Sequence, residues 1–133
     1  MAMARVDGSG SDRSIECRIE IRMTQKRIER KPLLNVSMGR CTVSSVDTRQ
    51  ITFEPGQETG KHTHPCPVIG YIAKGAALLQ VEGEPVQELP HGSAFYEPAD
   101  TVILRFDNAS ATEPMVFIAN YLLDGQPDLI RML

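Results

Sequence analysis

The sequence predicts an all-β single domain, a sandwich or barrel of short strands. Three observations carry this. Turn residues punctuate the chain about every eight to twelve positions, the runs between them are rich in β-branched and aromatic residues, and several runs are apolar on both faces. A strand apolar on both faces must be covered on both, which fits a closed or double-layered sheet better than an open one.

Taken in order, residues 1–14 are small and polar without periodicity and read as a disordered tail. I-E-C-R-I-E-I-R-M (15–23) alternates strictly, with Ile15, Cys17, Ile19, Ile21 and Met23 on one side and charges on the other. That period predicts a half-buried strand, and its charged outer face suits an edge, where it is a candidate for exchange between two copies. Met23 also offers an alternative start. The domain is expected over 15–133, most plainly over 24–125. Turn signals fall at Asn35, Gly39, Pro55-Gly56, Pro65-Cys66-Pro67, Gly75, Gly83, Pro90-His91-Gly92, Pro98-Ala99-Asp100, Asn108-Ala109-Ser110 and Asp124-Gly125. Between them lie S-S-V-D-T-R-Q-I-T-F, V-I-G-Y-I-A, A-L-L-Q-V-E, S-A-F-Y-E, T-V-I-L-R-F and M-V-F-I-A-N-Y-L-L, each expected to be a strand. The final D-L-I-R-M-L suits a short helical turn. No internal repeat or linker interrupts 24–133.

Composition narrows the function. At 133 residues the chain is long enough to bury roughly two-thirds of its unfolded surface in one core. A net charge of −3 and 5% aromatic residues argue against a nucleic-acid partner. No run of about 18 apolar residues is present, and the first dozen residues lack the apolar core of a secretory signal, so a cytoplasmic protein without a membrane partner is expected. Cys17, Cys41 and Cys66 are odd in number and form no C-x-x-C pair, so neither a disulfide framework nor a structural zinc site is indicated.

The chemistry lies in G-K-H-T-H-P-C-P-V-I-G-Y-I-A-K-G (60–75), which holds two of the three histidines. In a strand, positions i and i+2 share a face, so His62 and His64 present two imidazoles side by side. Imidazole accepts zinc, iron, nickel, copper or manganese about equally, so the pair names no metal. A reactive centre needs about three protein ligands, with positions left for water or substrate.

Gly56, five residues, His62-Thr63-His64 and the run to Gly75 resemble the first motif of the cupins, G-x5-H-x-H-x3-4-E-x6-G. Gly92, five residues, Pro98 and T-V-I-L-R-F-D-N resemble their second, G-x5-P-x-G-x2-H-x3-N. The resemblance implies a jelly-roll barrel of two antiparallel sheets with the histidines facing its lumen. It also implies a divalent metal such as zinc, iron, manganese or nickel, held by two His, a Glu and a second-motif His, and a barrel that pairs as a homodimer.

The chain departs from that pattern at both remaining ligands. Counting back from Gly75, Val68 occupies the glutamate position. Strict spacing puts Ile103 at the second-motif histidine and Asp107 at its asparagine; one extra residue in the turn puts Leu104 and Asn108 there. The second alignment is preferred, because Val102, Leu104 and Phe106 would then line the lumen while Arg105 and Asp107 face out. Asp100 replaces the second-motif glycine and tolerates the same left-handed turn.

Cys66 continues the alternation and is a remote third ligand candidate, but Pro65 and Pro67 break the ladder around it. Glu97 precedes Pro98 in an F-x-E-P pattern also at home in cupins with all four ligands, so a turn or edge role is expected. His91 reads as a solvated turn histidine. Gln80 would reach a ligand only if inward, and Tyr71 is expected to point outward. Arg40, Arg49 and Arg105 fit solvated faces as well as anion contacts. Phe95, Phe106, Phe117 and Tyr121 read as core.

Three functions follow. The first is a barrel binding a small organic ligand, anionic acids included, through His62, His64, Val68, Leu104 and Phe106, with a partial metal site at His62 and His64 whose metal is weakly held or absent. The second is a divalent-metal enzyme of dioxygenase or isomerase type on the same two histidines. The third is a metal-free enzyme with a histidine base, disfavoured because no aspartate is placed to orient it.

Overall fold

The computed structural model describes residues 26–133, and the strands belong to the compact unit Pro32–Leu133. The expected tail and the alternating segment 15–23 lie outside the described residues. Residues 26–31 are exposed and form no regular structure.

Among the described residues, nine strands form two antiparallel sheets: β1 (Ser45–Phe53), β2 (His62–Thr63), β3 (Val68–Lys74), β4 (Ala76–Val81), β5 (Gln87–Pro90), β6 (Ala94–Glu97), β7 (Ile103–Asn108), β8 (Met115–Leu123) and β9 (Arg131–Met132). One sheet runs β1-β8-β3-β6 and the other β5-β4-β7-β2-β9. No helix occurs among the described residues, so none is long and apolar enough to cross a membrane. This is the expected two-sheet jelly roll.

The strands follow from alternation and the turns from glycine. Along β8, Met115, Phe117, Ala119 and Tyr121 are buried while the residues between them are half-buried, the period-2 signature of one face on a core. Their cross-strand partners on β1 are Phe53, Ile51, Arg49 and Asp47, so the same face runs on to the sheet edge. Gly75 turns β3 into β4 with φ of 79°, a conformation costly for any residue with a Cβ. Asp100 adopts φ of 56°, the left-handed turn expected of it. At Gly70 the reason for glycine is contact: an added Cβ would strike the Phe95 ring on the neighbouring strand.

Two expectations change. The C-terminal D-L-I-R-M-L forms no helix; Arg131 and Met132 pair with Thr63 and His62 as β9. The edge of β2 left free by β7 offers these residues backbone partners, and strand pairing takes the place of a helical turn. β5 is the other strand not read from the sequence, its Q-E-L-P being mostly polar with Leu89 alone buried.

The second-motif strand also departs from both alignments. Gln80 pairs with Arg105 and Val81 with Ile103, so Leu104 is skipped in a β-bulge. The extra residue therefore sits inside β7 rather than in the turn. Ile103, fully buried, lies directly opposite His62 and shares its face, while Asn108 still closes the motif by donating to the Glu54 and Glu113 carbonyls at 3.0 and 2.8 Å. Leu104 is only half-buried and leaves the inward face to Ile103 and Phe106. Asp107 is not solvated as expected: the 54–60 segment runs along β7 and covers it, and the Arg105 Nε donates to its Oδ2 at 2.6 Å to offset the buried charge.

Candidate metal centre

Between the sheets lies a cavity of about 210 Å³. All four phenylalanines of the chain line it, Phe53, Phe95, Phe106 and Phe117. They meet edge-on or tilted with ring centroids 4.9–6.2 Å apart, the arrangement aromatic quadrupoles favour. Burying one such ring contributes about 1.5–3 kcal/mol, so these side chains are core and cavity wall together.

Besides Thr59 and the Tyr121 phenol, this largely apolar lining carries His62, His64 and Glu97, each at most 4% exposed. His62 stands on β2, held by Ile103 on one side and Met132 on the other. His64 lies two residues on, just past the strand, where the Asp100 backbone N–H fixes its carbonyl at 2.8 Å. The two rings are 4.9 Å apart and nearly perpendicular.

Backbone carbonyls set the tautomers. His62 donates from Nδ1 to the Gly60 oxygen at 2.7 Å, and His64 donates from Nδ1 to the Leu129 oxygen at 2.7 Å. Each Nε2 is thereby directed inward as the available ligand atom, the arrangement typical of metal-binding histidines. One ligand atom from each His and one from Glu97 all lie within 4.8 Å of one another. Two imidazoles and a carboxylate are a donor set suited to zinc or to a non-haem iron centre with open positions.

Glu97 is where the sequence reading needs correction. Glu97 does end an edge strand, β6, but its carboxylate is buried and turned inward: Oε1 sits 2.7 Å from His64 Nε2. Since Nδ1 already carries a proton for Leu129, the Nε2–Oε1 contact holds one further proton between the pair. Burial pulls the His64 pKa down, but the hydrogen bond and charge of Glu97 outweigh it and leave the value raised. The absence of an orienting acid, which counted against a histidine base, is thus also corrected.

The position of Glu97 has a simple cause. Val68 on β3 and Glu97 on β6 are direct cross-strand partners. Side chains of such partners stand beside one another on the same face, so Glu97 occupies ground next to that of a glutamate at 68. The carboxylate comes from the adjacent strand. Alternation in A-F-Y-E was the available signal, because Glu97 shares a face with the core residue Phe95. The pairing of 68 with 97 is long-range and cannot be counted off the chain.

Of the other predicted residues, His62, His64, Val68 and Phe106 reach the cavity wall, and Leu104 does not. Cys66 is fully buried in the Pro-Cys-Pro segment and stands outside the His-His-Glu cluster, and burial pushes its thiol pKa up. Tyr71 and His91 are exposed, and Gln80 donates to the Glu84 carbonyl instead of reaching inward.

The sequence matches the cupin domain family over residues 49–123, more than half of the chain. The chain belongs to the cupins. No curated protein matches it. Among solved structures this cupin is similar to a cupin-like protein from Thermotoga maritima (25% identity, TM-score 0.57, covering 66% of this chain and 64% of that one). It is also similar to a DMSP lyase from Ruegeria pomeroyi (19%, 0.57, 66% and 43%). An oxalate oxidase crystallised with the substrate analogue glycolate is a third (21%, 0.57, 66% and 46%). The match thus spans less than two thirds of each of these chains, and the likeness establishes the fold.

Proposed function

We propose that this cupin holds a divalent metal ion through His62, His64 and Glu97 and receives a small organic ligand in the phenylalanine-lined cavity above it. The observation that carries the reading is the pair of Nδ1–H groups committed to backbone carbonyls, which leaves two inward Nε2 atoms beside a buried carboxylate. A bound ion would supply Lewis acidity toward an oxygen of the ligand. The chain's own part is to exclude water with Phe95, Phe106 and Phe117, and to hold both imidazoles in one tautomer. Val68 contributes an apolar wall, and its loss of the family carboxylate is offset by Glu97.

A second reading rests on the 2.7 Å His64–Glu97 contact. Without metal, that dyad is a buried proton donor and acceptor pair beside the phenylalanine-lined cavity, suited to acid–base chemistry on the ligand. Elemental analysis separates the two. Protein purified without chelator or nickel resin should carry about one divalent ion per chain, lost in His62→Ala. A metal-poor protein whose ligand binding survives His62→Ala and fails in Glu97→Gln would favour the dyad.

A further inference from the structure

The open side of the cavity is marked by its less buried lining residues: Ile51 and Phe53 on β1, Thr59, and Ile130 near the C-terminus. β1 is the edge of its sheet. Two residues before Ile51 on the same inward face stands Arg49, directly opposite Ala119, whose small side chain lines the cavity. The Arg49 side chain is itself 56% exposed and outside the lining, so its guanidinium stands in solvent just beyond the β1 end of the chamber, with the Ala119 methyl across from it in place of a bulky neighbour. Its charge is felt at the Tyr121 phenol, another lining residue.

Arg49 is also held in place. Its Nε and Nη2 donate to the two Asp47 oxygens at 2.9 and 3.1 Å. A guanidinium has five N–H donors in a rigid fork, so this side-on grip leaves three: both on Nη1 and the second on Nη2. Those form the end of the fork, the geometry that receives a carboxylate bidentately. Asp47 therefore orients the group without using up its recognition edge.

We propose that Arg49 is the anion-recognition residue at the cavity mouth, and that the ligand is a small carboxylic acid whose carboxylate docks on the free end of the guanidinium while its apolar body fills the phenylalanine-lined chamber. This deepens the ligand-binding reading above and rests on it. The chamber holds on the order of seven water volumes, which suits short aliphatic or single-ring acids.

Calorimetric titration of the full chain with hexanoate and benzoate, and with hexanamide and benzamide as neutral isosteres, tests this. The parent should bind at least one acid about tenfold more tightly than its amide. Arg49→Gln should erase that preference, and Arg49→Lys, which keeps the charge and loses the fork, should retain only part of it. Equal binding of acid and amide by the parent, no binding of any of the four, or a preference that survives Arg49→Gln would overturn the proposal. An inward charge on an edge strand also deters edge-to-edge pairing; Arg49→Gln that self-associates yet keeps its acid preference would show that role instead. Metal content measured on the same samples keeps the two readings apart: an Arg49-dependent acid preference in metal-free parent protein would sustain this assignment and sink the metal centre.

Discussion

The two cupin motifs of this chain each lack one expected ligand, and the structure meets the two losses differently. The first motif (56–75) keeps His62 and His64, and each has its tautomer fixed by a backbone carbonyl. The second (92–108) has hydrocarbon where its histidine belongs, with Ile103 packed against His62 and a bulge at Leu104. Yet the second motif also supplies Glu97, the carboxylate that the first lost at Val68. Three donors of the expected four are thus brought together, one of them from a different strand, because cross-strand partners place their side chains on common ground.

The contrast predicts opposite consequences for residues that face each other. Removing the ligand in His62→Ala should weaken zinc binding at least about 100-fold, more than loss of a supporting partner would, with modest cost to folding. Ile103→Ala, across the ladder, should leave zinc affinity within about threefold and cost about 2–5 kcal/mol of stability as a core truncation. Zinc titration and urea unfolding on both variants would break the comparison if the two behaved alike.

A smaller effect sharpens the alignment. Because Ile103 shares the His62 face and Leu104 is the bulged residue, Ile103→His should add a fourth donor and tighten zinc binding about tenfold. Leu104→His should leave affinity unchanged. The reverse result would mean that the extra residue lies in the turn.

Much of the fold was legible because alternation and turn residues are local. The runs that became β1, β3, β4, β6, β7 and β8 are visible in the sequence, as is the left-handed turn at Asp100. β5 and β9 were not: Q-E-L-P lacks an apolar stripe, and Arg131–Met132 is a strand only because β2 has an open edge. At the site, the His62-x-His64 spacing was readable. Glu97 was misread because its role depends on which strand lies beside β6. The bulge was misplaced because a one-residue insertion reads the same from spacing whether it sits in a turn or a strand.

The smallest expected effect concerns pH. With metal removed by chelator, the raised His64 pKa means the folded state binds this proton more tightly than the unfolded chain. The resulting stability is fully present below the ordinary imidazole value of 6.5 and is lost as pH rises through the folded value. The melting temperature of the chelated protein should therefore fall across that window. Glu97→Gln, which removes the charge responsible, should flatten the slope; a slope unchanged in that variant would place its origin elsewhere.

The most direct measurement is a zinc titration by calorimetry on three proteins: the parent, Glu97→Val, and the exchange variant Val68→Glu with Glu97→Val. The parent should bind one ion, Glu97→Val should bind at least tenfold more weakly, and the exchange should recover most of the loss by returning the carboxylate to β3. Parent-like affinity in Glu97→Val would contradict the account, since the third donor would then come from some other group.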